Sequence, residues 1–337
     1  MRNMMRRLAV AGALVLGLSA TAACGDDEPA QETSGAAGGA FPVTITHKLG
    51  KAVIESEPER IVTLGEVDQD TLLAFGVQPV GMTELTGVQQ DGFAPWTAPK
   101  LTGEKPKLLK AGEAGFNLEE IAALRPDLIL AGGDFWIDKE YEKLSRLAPT
   151  VAYQTGPAED SWQQITVNAA TAIGRKAEGE KLVADVEAKI AAVKSEHPPL
   201  AGKGVAFTSV MPSGNIAVMK SPEDTSVKLL NQFGMTLPGQ ISELSGEGFA
   251  AELSMEKLAV LDVDVLVAHY NDDPATQKKF EDSQLFSGLD VVERGSYVPI
   301  DLKEFWALRT PTPLAVPYLI DNVVPKIAEA AAKAESA

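Results

Sequence analysis

The chain has 337 residues, 45% of them hydrophobic and 23% charged, with 29 Gly, 21 Pro and one Cys, which excludes collagenous, disordered and disulfide-stapled classes. Its 30 Lys and Arg against 47 Asp and Glu give a net charge of −17, a balance that excludes a broad nucleic-acid surface, where phosphates need clustered cations. A single cysteine closes no intrachain disulfide, and without a Cys-x-x-Cys pair it offers no zinc site.

At the amino terminus, Arg2, Arg6 and Arg7 precede an apolar run over 8–18 and small residues over 19–23. This is the three-part form of an export signal, too short to span roughly 30 Å of hydrocarbon. Cys24 then opens an acidic, Gln/Glu/Ser/Gly/Ala-rich stretch to residue 40, too poor in apolar surface to fold and read as a tether. Ala22-Ala23-Cys24 resembles the lipobox of bacterial lipoproteins, with Thr21 where that motif has Leu. On this reading Cys24 is the lipidated residue, and each buried CH₂ of its acyl chains contributes about 0.8 kcal/mol of membrane anchoring. The alternative is ordinary signal cleavage beside a leftover thiol. Without residues 1–23, 27 basic residues face 47 acidic ones, leaving −20.

From Phe41 on, β-rich runs (61–64, 80–82, 127–131) alternate with amphipathic ones (71–75, 118–124), and a second series repeats this over 205–300 with a closing helix after Pro311. Such alternation predicts α/β architecture: two Rossmann-like lobes with largely parallel sheets, 41–160 and 197–337. Between them, 161–196 reads as a long, rigid helical connector with Leu182, Val183, Val186, Ile190 and Val193 on one face, broken near Gly174 and Gly179. A connector rich in Ala, Glu, Lys and Val predicts small rocking motions rather than wide hinge swings. An internal repeat supports two lobes: 117–131 aligns without gaps on 254–268, with Asn117 and Ser254 at helix N-caps, Glu119 and Glu256 in first turns, and Asp127 and Asp264 before buried strands. Phe75-Gly76 and Phe233-Gly234 form a second shared feature.

The three histidines sit in no triad or nucleophile elbow, and no phosphate loop is present, so the sequence is not read as an enzyme. His47 and His197 read as solvated; His269 ends a predicted parallel strand, where open α/β sheets place ligands. The same rule collects the strand-end segments 65–68, 82–84, 132–136, 209–212, 269–271 and 301–309. They hold Trp136, Met211, His269, Tyr270, Trp306 and Arg309; Tyr153 ends a further strand and Trp96 lies in a long Pro/Gly loop. Aromatic side chains on loops suit a ligand with an apolar or planar face, and Arg309 suits a carboxylate or catecholate oxygen. Each Trp pinning its own loop, and Arg309 paired with Asp301 or Glu304, are the structural alternatives.

Several segments resemble the substrate-binding lipoproteins of bacterial ABC importers for ferric siderophores, a two-lobed, helix-linked class that includes cobalamin- and haem-binding members. They are Phe41-Pro-Val-Thr-Ile-Thr-His-Lys-Leu-Gly50, Pro58-Glu-Arg-Ile-Val-Thr-Leu-Gly65, Asn117-Leu-Glu-Glu-Ile121 through Arg125-Pro-Asp-Leu-Ile-Leu130, Leu144-Ser-Arg-Leu-Ala-Pro-Thr-Val-Ala152 and Ser161-Trp-Gln-Gln164. The resemblance implies a monomeric carrier at the outer face of the cell membrane, with no cofactor of its own, that holds a ferric siderophore in a largely preformed cleft. It implies a permease with ATPase subunits as partner, docked through Glu119 and Glu256, and a cleft lined by Trp, Tyr, Arg and sometimes Lys or Met. A haem or cobalamin ligand, held through His269 or Tyr270, is the alternative within the class; a zinc or manganese site lacks enough histidines.

Overall fold

The alternation of Val43–His47 (β1) and Gly50–Ile54 (β2) builds an antiparallel hairpin whose inward positions are Ile45, His47, Ala52 and Ile54. The structure is a computed structural model and describes residues 40–334 apart from 86, 89–91, 114, 157–158 and 247. The export signal, Cys24 and all but the last residue of the predicted tether lie outside the described residues. His47, expected in solvent, is 6% exposed; period two places it on Ile45's face, and its ring packs edge-on against Tyr141.

The first lobe's sheet is formed by β3 (Ile61–Thr63), β4 (Gly81–Thr83), β5 (Lys107–Leu109), β6 (Leu128–Leu130) and β7 (Thr150–Val151). Its order is β5-β4-β3-β6-β7 and every pairing is parallel. The central strands Ile-Val-Thr and Leu-Ile-Leu are buried on both faces, the pattern of a sheet covered by helices. Those helices are α1 (Glu66–Ala74), α2 (Leu118–Ala123), α3 (Ile137–Leu144) and α4 (Trp162–Ala172).

After Gly174, at φ +73°, the chain turns into α5 (Lys176–Glu196), whose 21 residues extend about 31 Å at ~1.5 Å each. Gly179 does not break this helix. A Cβ there would lie 2.4 Å from Ala170 Cβ, so glycine lets α4 and α5 touch. The connector is therefore two helices: α4 packs on α1, β1 and β7, while Val186, Ile190 and Val193 of α5 enter the second lobe's core.

The second sheet contains β8 (Val205–Val210), β9 (Ile216–Met219), β10 (Ala250–Leu253), β11 (Val265–His269) and β12 (Tyr297–Ile300), in the order β10-β9-β8-β11-β12. Only β8, β11 and β12 are parallel; β9 turns straight back from β8 as a hairpin, so this sheet is mixed rather than largely parallel. Around it lie α6 (Thr225–Gln232), α7 (Gly239–Ser242), α8 (Pro274–Glu281), α9 (Gln284–Ser287), α10 (Asp290–Glu293), α11 (Leu302–Arg309), α12 (Ala315–Asn322) and α13 (Val324–Lys333).

The repeat is physical. Asp127 accepts from the backbone N–H groups of Glu59 and Arg60, just ahead of β3, and Asp264 accepts from Gly204 N–H, just ahead of β8. Each aspartate thereby fixes its own strand, β6 or β11, beside the neighbour it pairs with. Phe75 and Phe233 likewise end α1 and α6 before glycines at φ +72° and +101°. The copies differ at the cap: Asn117 accepts from Glu119 and Glu120 N–H, whereas Ser254 makes no side-chain cap and Met255–Leu261 winds as a 3₁₀ helix.

Candidate functional site

Segments that follow the carboxyl ends of β3 and β4 meet segments that follow β12. Gly65, in extended conformation, leads directly into α1, so residues 66–68 form a helical first turn rather than the expected loop. A Cβ on Gly65 would approach Asp68 Oδ2 to 2.6 Å and the Gly133 backbone to 3.0 Å; glycine there lets the ends of β3 and β6 close together. Residues 67–73 of α1 are all buried, yet they include Asp68, Gln69 and Asp70.

Asp70 joins the lobes. Its Oδ2 accepts from Trp96 Nε1 at 2.9 Å and from the Thr312 hydroxyl, and its Oδ1 accepts from the Thr97 hydroxyl at 3.0 Å. Thr312 Oγ1 in turn accepts from Ala315 N–H at 2.8 Å, which ties Asp70 to the start of α12. The Trp96 ring packs on Tyr318, centroids 5.2 Å apart, while Leu85, Val88 and Ala94 pack with Leu302 and Trp306. The space left between Glu66, Gln69, Asp70, Trp96, Trp306 and Thr312 is about 10 Å³, room for one water. A ligand pocket takes roughly 300–1,000 Å³, so the expected preformed cleft is closed at this point.

Beside it the first lobe presents an aromatic rim. Asp134 Oδ1 accepts from Trp136 N–H at 2.9 Å and Trp136 Nε1 donates to Glu113 O at 3.3 Å, which holds Trp136 half-buried and leaves Phe135 66% exposed. In the second lobe Met211 is 42% exposed past the end of β8, its sulfur 3.4 Å from Asn271 Nδ2. Asn271 and Asp272 both take φ +52°, and Asp272 accepts from Leu302 N–H at 2.7 Å. An open hollow of about 280 Å³ lies here, bordered by Tyr270, Asp272, Gln277, Asp301 and Glu304.

The acids at this end of the first lobe are strained electrostatically. Burial pushes Asp68, Asp70 and Asp134 each up to about 7; hydrogen bonds to Gly133, Thr312 and Trp136 oppose the rise and the neighbouring Glu66 adds to it. Burial raises Glu66 too. Among the described residues no three His, Cys, Asp or Glu side chains form a group able to hold a metal ion.

The residues singled out in the sequence separate into two sets. Trp96 and Trp306 line the inter-lobe space, Trp306 from α11 rather than from a loop, while Trp136 and Met211 follow the ends of β6 and β8. Tyr153 does not join them: it is 4% exposed in the first lobe's core, and its hydroxyl donates to Asp138, which raises it to about 12. His269 has no exposed surface; it stacks on Phe305 at 4.3 Å and burial lowers its pKa, so it is a neutral core histidine here. Tyr270 is 2% exposed with its hydroxyl accepting from Tyr297. Arg309 pairs with neither Asp301 nor Glu304 but with Asp224, which is buried at the N-cap of α6. Glu119 and Glu256 are both exposed. Asp70, Gln69 and Thr312 were not foreseen; the available signal was three polar residues, Asp68-Gln69-Asp70, directly before an apolar helical run.

Two α/β lobes, each built on a five-stranded sheet, joined by packed helices and with strand ends brought against each other, define a bilobal binding protein. Residues 61–300 match the family model described as periplasmic binding protein, and the chain belongs to that family. A putative ABC transporter substrate-binding lipoprotein, YhfQ, of Bacillus subtilis (strain 168) is 25% identical over 312 residues, 86% of this chain and 88% of that one. A probable siderophore-binding lipoprotein, YfiY, of the same organism is 26% identical over 270 residues, 77% of this chain and 80% of its own length. The crystal structure of PiaA of Streptococcus pneumoniae TIGR4 in complex with ferrichrome superposes with a TM-score of 0.69 at 26% identity, covering 86% of this chain and 99% of that chain.

Proposed function

We propose that this protein is the extracytoplasmic receptor of an ABC importer, lipid-anchored through Cys24, and that it captures a ferric siderophore between its lobes. The observation that carries the reading is the convergence of β3, β4 and β12 ends on one inter-lobe contact beside a rim of exposed Phe135 and half-buried Trp136. The ferrichrome complex of the similar PiaA supports the ligand class, and the lipoprotein relatives support the anchor and the transporter. The chelate enters where the lobes meet, aromatic faces cover its apolar rim, and the loaded protein docks on a permease through Glu119 and Glu256, one from each lobe. No helix among the described residues is long and apolar enough to cross a membrane; in this reading the acyl chain holds the protein there.

Tryptophan fluorescence of the purified protein, titrated with ferric siderophores, haem and cobalamin, tests this. Saturable quenching by a ferric chelate at sub-micromolar concentration is the expected result. Binding of haem or cobalamin alone would overturn the ligand class.

A further inference from the structure

The charges at the strand ends carry the proposed reading further. The inter-lobe space is bordered by Glu66 and Asp70, and the open hollow of the second lobe by Asp272, Asp301 and Glu304. Among the described residues that line either space there is no Lys, Arg or His. Two of the hollow's acids are already paired, Asp301 with Lys303 at 2.7 Å and Glu304 with Lys326, while Arg309 pairs with Asp224, so the acids left to a ligand are Glu66, Asp70 and Asp272.

A second observation is independent of the acids. Gln69, 4% exposed, lines the inter-lobe space with an Oε1 that has no hydrogen-bond partner. That atom is an acceptor, and a buried acceptor without a donor is unfavourable to leave unpaired. Trp306 Nε1 is an unpartnered donor at the same space, suited to a neutral chelate oxygen. Acids with no Lys, Arg or His lining the same space, joined by the free acceptor of Gln69, complement a ligand that brings N–H⁺ groups and repel one that brings negative charge.

Resting on the siderophore reading, we propose that the chelate this protein takes carries net positive charge, with a protonated amine seated against Glu66, Gln69 and Asp70, and that anionic tris-catecholates are rejected by the same acids.

The test is a matched pair. Ferrioxamine B carries a protonated terminal amine; its N-acetyl derivative keeps the same hydroxamate iron shell without that charge. Ferrichrome and ferric enterobactin extend the series to neutral and anionic chelates. Titrations on the wild-type protein are expected to give ferrioxamine B at least about 10-fold tighter than its acetylated form, with ferric enterobactin weakest. Glu66→Gln should shrink the gap to under about three-fold, and added salt should weaken the cationic ligand only, which gives a readout on wild type even if the variant folds poorly. Equal binding of the acetylated pair, or preference for ferric enterobactin, overturns the charge assignment and leaves siderophore capture standing. If no ferric chelate binds at any charge, both readings fall.

Discussion

Replacing Asp70 separates the carboxylate's charge from its hydrogen bonds. Asp70 accepts from Trp96, Thr97 and Thr312, yet burial raises its pKa from 3.8 to about 7. A carboxyl whose folded pKa lies above its unfolded value binds its proton more tightly in the folded state. Stability is therefore greatest below the unfolded pKa and is lost as pH rises from about 4 to 7, at about 1.4 kcal/mol per pH unit, and stays low above that. The full span is on the order of 4 kcal/mol. Asn is nearly isosteric: its carbonyl can take over the two bonds to Oδ2 and its amide can donate to Thr97, whose hydroxyl rotates to accept. Asp70→Asn should lie within about 1 kcal/mol of wild type near pH 4.5 and exceed it by several kcal/mol at pH 8. Asp70→Ala strands three donors and should lose roughly 3–5 kcal/mol relative to Asn at both pH values. Urea unfolding followed by tryptophan fluorescence from pH 4.5 to 8.5 measures all three proteins, with Trp96 reporting on the contact itself. An Asn variant that at pH 8 is as unstable as the Ala variant would show the carboxylate to be ionised and stabilising, and the reasoning would be wrong.

Three further changes probe other parts of the molecule. Glu119→Lys with Glu256→Lys should leave chelate affinity within about two-fold while abolishing iron uptake by cells; uptake at the wild-type rate would remove these residues from permease docking. Gly179→Ala gains about 1 kcal/mol of helix propensity but sets a methyl 2.4 Å from Ala170 Cβ, and overpacking of about 1–3 kcal/mol wins, so urea unfolding should show net destabilisation. Arg309→Ala leaves Asp224, whose side chain is 1% exposed, without its cation; because Arg309 itself is partly exposed, the stability loss should be about 1–3 kcal/mol with chelate affinity unchanged. A selective affinity loss would return Arg309 to the ligand.

The readable features were local ones. Asp127 and Asp264 announce themselves as turn residues before apolar strands, and both fix the next sheet pairing as their shared position implies. His47 was legible too, since the alternation Val43-Thr-Ile-Thr-His47 places it with Ile45 inside; its isolation before the main domain concealed this. The Asp70–Thr312 bond spans 242 residues and leaves no local trace in either segment. Nor does periodicity reveal a helix buried all round: residues 67–73 of α1 face the sheet, α4 and the second lobe in turn, so polar residues there read as an exposed face. The hairpin from β8 to β9 escaped for a related reason. Ile216–Met219 is apolar enough to pass for a parallel core strand, and only the short turn over 211–215 distinguishes it.

The buried acids and the closed inter-lobe space belong to one energetic argument. α4 is packed into the first lobe and α5 into the second, and the two helices also touch at Ala170 and Gly179, so a separation of the lobes strains that contact as well. Separating the lobes breaks the Asp70–Thr312 bond and the Trp96–Tyr318 contact, a net cost of about 1–3 kcal/mol for one hydrogen bond and one ring pair. Opening also hydrates Asp70, whose burial in the closed form raises its pKa to about 7. Above that pH the hydration gain offsets much of the broken contacts, and below it little is returned. Closure around nothing is thus weakest where the carboxylates are ionised, and a ligand of the proposed positive charge would favour the closed form there.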